Sequence, residues 1–149
     1  MYRFISSSVS IFLTLILLSC ATTGPKYSEI KTSLPMINPE EGRIYFYRKA
    51  NLFGSGIQPS VYLNGKKVGR SVPGGFFFVD RPAGNYEVLL STEVDKKLTF
   101  TLDKGQIRYV RMSVGLGILV YRVYPELVDP SIGESEMQEL RYIGTEFNK

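Results

Sequence analysis

Histidine and tryptophan are absent from this 149-residue chain, and cysteine occurs once, as Cys20. Without histidine, the usual general base at neutral pH and the commonest metal-binding side chain are missing. A lone cysteine makes no intrachain disulfide, no CxxC redox pair and no thiolate zinc site. No catalytic residue, metal ligand or cofactor is therefore expected. A basic stripe is missing too: the net charge is +4, yet Lys and Arg are scattered and pair up only at Lys66-Lys67 and Lys96-Lys97, beside turns. Nucleic-acid affinity comes from neutralising adjacent phosphates, so a solvated basic surface is expected, with no nucleic acid bound. One long apolar run exists, Val9 to Leu18, broken by Ser10 and Thr14. It is about half of the ~20 residues needed to cross a bilayer.

What is present leans towards β-structure. The chain is 44% hydrophobic, with ten Tyr, nine Phe and fourteen Gly, which suits one globular domain with a real core. The opening "MYRFISSSVSIFLTLILLSC" pairs a short start carrying Arg3 with an apolar run of signal-peptide length. Leu17-Leu18-Ser19-Cys20 resembles the bacterial lipobox. That resemblance implies cleavage before Cys20, a diacylglycerol on its sulfur, and an acyl group such as palmitate on the new amine. At ~0.8 kcal/mol per buried methylene, such chains hold a protein to a membrane by tens of kcal/mol. Ala21, where an Asp would favour inner-membrane retention, implies the periplasmic face of the outer membrane in a Gram-negative host. A plain secretory signal with an incidental cysteine is the other reading. Residues 1–19 are thus read as signal peptide and 20–41 as the lipidated Cys and a flexible tether, rich in Pro and small polar residues. As a loose coil the tether would span roughly 25 Å.

From Gly42 short alternating runs bounded by turn residues predict an all-β domain over 42–149. In "GRIYFYR", Ile44 and Phe46 share one face, Tyr45 and Tyr47 the other. "PSVYLNGKKVG" reads as a hairpin about Asn64-Gly65, because both turn residues need positive φ. Val61 then faces Val68, and Tyr62 faces Lys67. "GGFFFVD" is a short apolar strand ended by the turn "DRPAGN", with "NYEVLLS" and "KKLTFTL" after it. If Lys104-Gly105 is a two-residue turn, Leu102 faces Ile107 and Phe100 faces Tyr109 across a hairpin. A last strand runs through "GILVYRVYPELV" to Pro125 or Pro130. "GESEMQELRYIG" predicts a helix capped by Ser135, with Met137, Leu140 and Ile143 inward. The sum is a seven- to eight-stranded antiparallel β-sandwich with a short C-terminal helix.

Three segments together, "GRIYFYR" (42–48), "PSVYLNGKKVG" (59–69) and "GGFFFVDRPAGNYEV" (74–88), resemble the bacterial family called domain of unknown function 2846. Its pattern has an aromatic first strand ending in Arg, an LNGxxxG hairpin and a strand pair with PG-x-Y. "PAGNY" departs from it by a longer turn. The hairpin is also similar to the PEGA repeat, a surface β-module. Both resemblances imply a fold and supply no catalytic residue.

Remaining chemistry is sparse. "SEIK", Ser28 to Lys31, has the S-x-x-K spacing of penicillin-binding enzymes without their companion motifs. Glu87, Glu93, Asp95, Asp103, Glu126 and Asp129 are carboxylates by type, and a glycan hydrolase would need two of them across a cleft. Most fall at turns or point outward. Tyr45, Tyr47 and Tyr62, with Phe76 to Phe78, could form a stacking platform, although the lack of Trp weakens a sugar version. Alternatively, both faces of the first strand are covered. Two functions follow as expectations: a membrane-anchored binding or structural module whose partner is an envelope protein or peptidoglycan, or a carboxylate-dependent hydrolase of envelope glycans. As a subunit of a larger envelope assembly, the domain would expose an apolar patch on a sheet face.

Overall fold

Two stretches, "IYFY" and "FFFV", contain no charged residue, so alternation cannot hand one side of either strand to water. They lie in β1 (Glu41–Tyr47) and β4 (Gly75–Pro82), which pair antiparallel with Tyr45 opposite Phe78 and Phe46 opposite Phe77. The computed structural model describes residues 22–92, 96–116 and 121–144. Within them, β7 (Ile107–Leu116), β8 (Tyr121–Val128) and β9 (Arg141–Tyr142) complete a five-stranded sheet in the order β8-β7-β1-β4-β9. The facing sheet holds β2 (Ser60–Leu63), β3 (Lys66–Arg70), β5 (Gly84–Leu90) and β6 (Lys96–Leu102), in the order β3-β2-β5-β6. Two short helices accompany them, α1 (Tyr27–Ile30) and α2 (Pro130–Met137).

The expected all-β sandwich with a short C-terminal helix is what forms, with nine described strands and two parallel pairings, β1 with β7 and β4 with β9. Ile44, Phe46, Val61, Leu63, Phe77, Val79, Val88 and Leu90 are among the side chains that fill the space between the sheets. The Asn64-Gly65 hairpin is as read, with both residues at positive φ (46° and 77°). Tyr62 does face Lys67, but a bulge between Val61 and Tyr62 moves Val61 opposite Gly69 in place of Val68. Gly69 is needed there, since a Cβ would fall 2.5 Å from the Phe77 ring.

Larger differences lie at three connections. The Lys104-Gly105 turn is real, with Gly105 at φ 68°, but it carries the chain from one sheet to the other. β6 pairs with β5, and β7 with β1 and β8, so Leu102 does not face Ile107 and Phe100 does not face Tyr109. The strand pair expected around "DRPAGN" is likewise split between the sheets, because Ala83 turns the chain from β4 into β5. The C-terminal helix starts earlier than expected: Pro130 occupies its first turn and Asp129 caps it, with Asp129 Oδ1 accepting from Ser131 N at 2.9 Å. Ser135 is therefore an exposed mid-helix residue, and Arg141–Tyr142 is strand where helix was expected. Pro125 sits within β8 without ending it, since an edge strand tolerates the missing N–H.

Part of the stretch expected as a flexible tether, 20–41, is folded. Residues 22–34 lie against the domain: Tyr27 N donates to Leu140 O, Tyr142 N to Pro25 O, and Tyr27 and Ile30 are buried. The reason is the outer face of the larger sheet. There Tyr45, Tyr47, Phe76, Phe78 and Tyr109 need a cover, which Tyr27 and Ile30 supply together with Met137, Leu140 and Tyr142. Tyr27 meets Tyr45 and Phe76 edge-on, at 5.8 and 5.4 Å between ring centroids.

A charged pair with a buried arginine is built into the sheet. Arg43 and Asp80 are cross-strand partners joined by two 2.7 Å hydrogen bonds, and Arg43 also donates to Pro35 O and lies over the Phe78 ring. Arg43 is only 3% exposed. Asp80→Ala would leave it uncompensated and should lower unfolding free energy by about 3–5 kcal/mol, read from urea titration. A chain beginning at Asn38 should also be less stable in the same titration. It loses two buried apolar side chains worth about 1.5–3 kcal/mol each, whereas an unchanged midpoint would return residues 22–34 to a tether.

Candidate functional site

Strand register brings Tyr47 of β1, Arg111 of β7 and Glu126 of β8 into one row across the outer face of the larger sheet. Helix α2 crosses above this row and adds Glu136. Arg111 Nη1 donates to both Glu136 oxygens, at 3.0 and 3.2 Å, and its Nε donates to Glu126 Oε2 at 3.1 Å. Tyr47 OH donates to Glu136 Oε2 at 2.6 Å, Lys49 Nζ donates to its Oε1 at 3.2 Å, and Ser113 Oγ donates to Glu126. The neighbouring row, Tyr45, Tyr109 and Val128, lies under Glu134, which accepts from Tyr27 OH at 2.6 Å and Tyr109 OH at 3.0 Å. Helix and sheet approach this closely because residue 133 is glycine: a Cβ there would lie 2.3 Å from Tyr109 Cγ.

Burial pushes the Tyr27, Tyr47 and Tyr109 phenols up, and the adjacent glutamates push them further, so all three remain donors. Burial alone would raise the Glu136 carboxyl. Hydrogen bonds from Tyr47, Lys49 and Arg111, with the Arg111 charge, outweigh it and hold Glu136 below its ordinary value. Glu126 and Glu136 thus share one clamp through Arg111, and Glu136 is kept ionised.

Beside the clamp, at the C-terminal end of β1, lies an open depression of ≈ 350 Å³. Arg48, Lys49, Arg111, Ser113, Tyr124 and Glu126 line it. Arg48 is 1% exposed and pairs with no carboxylate among the described residues. Its Nη1 donates to Ile57 O (2.6 Å) and Ser71 O (3.3 Å), its Nη2 to Gly54 O (2.7 Å), and its buried Nε has no partner. Burial lowers its pKa. Arg48 therefore pins the loop between β1 and β2 by its carbonyls and leaves its charge unneutralised. Arg111 and Lys49 are matched by Glu126 and Glu136, so the excess positive charge at the depression is that of Arg48, which favours an anionic group.

The stacking platform expected from Tyr45, Tyr47 and Tyr62 does not form. Tyr45 and Tyr47 are 3% and 0% exposed under the cover, and half-buried Tyr62 is on the other sheet. Of the expected carboxylates, only Glu126 joins the cluster. Glu87 pairs with Lys97 at 3.2 Å, Asp103 sits at the turn into β7, and Asp129 caps α2. Cys20, Glu93 and Asp95 lie outside the described residues. Ser28 and Lys31 are exposed on and just after α1. Sequence reasoning missed Arg48, Arg111, Glu134 and Glu136. A signal existed in the charged residues that interrupt Tyr-rich strands, because in a sheet covered on both faces such a residue needs a partner. Among the described residues no group of three or more His, Cys, Asp or Glu could hold a metal ion, and no helix is long and apolar enough to cross a membrane.

Fold and cluster define a two-sheet β module stiffened by a helix and strap over one face. The chain belongs to the family described as "Protein of unknown function (DUF2846)", which matches residues 38–122. It is similar to an uncharacterized protein of Haemophilus influenzae, at 26% identity over 136 residues, covering 88% of this chain and 80% of that protein. No solved structure matches. The family match runs from just before β1 into β8 and includes neither α1 nor α2.

Because the folded Glu136 pKa lies below the unfolded one, the clamp contributes stability above about pH 4.3, the ordinary glutamate value. That contribution is lost as pH falls through the folded pKa. Glu136→Gln should therefore lower the urea midpoint at pH 7, and the gap from the parent should narrow as pH falls below about 4. A gap independent of pH would show that Glu136 is not held ionised.

Proposed function

We propose that this protein is a cell-envelope lipoprotein, cleaved before Cys20 and anchored through diacylglycerol on its sulfur. In a Gram-negative host it would sit on the periplasmic face of the outer membrane. Its β-sandwich serves there as a non-catalytic binding or structural module. The observation that carries this reading is the position of the chain's one cysteine: it closes an apolar run of signal length in lipobox register.

The site chemistry supports a module over an enzyme. Glycoside hydrolysis requires one carboxyl that stays protonated and a second placed opposite it across a cleft. Glu126 and Glu136 are both committed to Arg111, and Glu136 is held in the ionised form. The depression beside them borders the buried Arg48, whose charge has carbonyl partners alone and favours an anionic group there. A carboxylate of an envelope protein or of a peptidoglycan peptide fits that requirement.

Intact mass of the protein extracted from membranes tests the anchor. The expected species begins at Cys20 and carries diacylglycerol plus an acyl chain, and Cys20→Ala should release the protein from the membrane fraction. A chain retaining residues 1–19, or a mature chain with a free Cys20 thiol, would refute the reading.

A further inference from the structure

The end of the sandwich nearest the anchor carries an exposed apolar tip. Thr22 is fixed to the domain: its Oγ1 donates to Pro73 O at 3.1 Å. The same oxygen lies 3.8 Å from the position a Cβ on Gly74 would take, and Ala50 Cβ lies 3.6 Å from that position. Ala50 opens the loop between β1 and β2. Cys20 precedes Thr22 by two residues, at most about 7 Å of fully extended chain. A lipid on Cys20 therefore leaves the domain almost no leash, and this end of the sheets must face the membrane.

What stands at this end suits a lipid surface. Leu52 and Phe53, on the loop that Arg48 pins, are 91% and 62% exposed, and Leu116 at the end of β7 is 82% exposed. They are contiguous: the Phe53 ring lies 5.8 Å from the Tyr121 ring, and Tyr121 is the cross-strand partner of Leu116. Met36 and Ile107, also exposed, lie towards the other end, where β1 and β7 begin. Leu127 is exposed towards that same end and Ile132 on α2, so the contiguous apolar tip is the one formed by Leu52, Phe53 and Leu116, and the outer face of the larger sheet is covered. Next to Leu116 is an open depression of ≈ 410 Å³ lined also by Lys96, Lys97, Arg122 and Tyr124. The Arg122 Nε is buried without a partner. An apolar tip beside cationic side chains is the arrangement by which proteins enter the boundary between headgroups and acyl chains of an anionic leaflet.

We propose that the domain docks end-on against the leaflet that holds its own anchor, with Leu52, Phe53 and Leu116 inserted and phospholipid phosphate in the depression beside Lys96 and Arg122. This rests on the lipoprotein reading. It adds that the domain lies on the membrane, where a long tether would let it stand clear.

The absence of Trp makes the test direct. Phe53→Trp and, at the opposite end, Ile107→Trp each install the only indole in the chain. Both lipidated proteins are reconstituted on phosphatidylethanolamine–phosphatidylglycerol vesicles containing acyl-brominated lipid, after mass confirms diacylglycerol on Cys20. The expected result is a blue shift and loss of emission at position 53 with neither change at position 107. Exposed emission at both positions in a protein proven to carry lipid overturns the docking and leaves the anchor standing. Equal quenching at both overturns the end-on orientation. A blue shift at position 53 that persists in detergent together with dimer formation assigns the tip to a second copy and overturns the membrane as occupant. A chain without lipid overturns anchor and docking together.

Discussion

Burying both faces of β1 is the constraint from which the remaining architecture follows. One face, Ile44 and Phe46, is met by the second sheet; the other, Tyr45 and Tyr47, needs a cover that the strands cannot provide. The chain supplies it from both ends, α1 with its flanking strap from one and α2 with β9 from the other. Those two pieces are themselves joined, through Tyr27 N to Leu140 O and Tyr142 N to Pro25 O. A cover made of aromatic rings brings hydroxyls into a dry layer, and buried hydroxyls need acceptors. Glu134 and Glu136 on α2 are those acceptors. Glu136 in turn needs cations, which Arg111 and Lys49 provide. The polar cluster is thus a consequence of the aromatic face beneath it.

The two buried arginines, Arg43 within β1 and Arg48 just after it, solve the problem of a buried cation differently. Arg43 is neutralised by Asp80 in a bidentate pair, the arrangement in which a desolvated guanidinium recovers most from its partner. Arg48 is given carbonyls alone. Carbonyl dipoles satisfy its two terminal nitrogens, leave the buried Nε unpaired and leave its charge in place, and that charge raises the potential of the adjoining depression. The same contacts hold the loop that carries Leu52 and Phe53. One side chain therefore shapes both the anion-favouring depression and the apolar tip.

Much of the fold was legible because local rules dominate it. Positive φ at Asn64 and Gly65 specified the hairpin, and uninterrupted apolar runs in β1 and β4 marked strands buried on two sides. Which strands pair was less legible. Phe100 opposite Tyr109 satisfies apolar matching as well as the observed partners do, and nothing local distinguishes a hairpin from a turn that changes sheets. The helix start was misplaced because Pro130 reads equally as the end of a strand and the first residue of a helix. The platform of Tyr45 and Tyr47 failed for a longer-range reason: their cover comes from residues far away in sequence, whose polar composition reads as linker. Arg111, Glu126 and Glu136 come together only through strand register and helix placement, and no spacing along the chain encodes that.

Under the proposed anchor on Cys20, length of leash decides how such a module can work. A coil of the length of residues 21–41 would let the domain sample a shell roughly 25 Å deep and meet partners away from the membrane. With residues 22–34 folded against the sheet, that freedom is consumed in covering Tyr45 and Tyr47. The strap is therefore at once a piece of the core and a setting of distance. Loosening it to lengthen the reach would expose the aromatic face, and keeping the face dry holds the domain short. In the proposed lipoprotein, stability and orientation would be coupled through the same residues, Tyr27 above all, whose ring packs on Phe76 while its hydroxyl reaches Glu134.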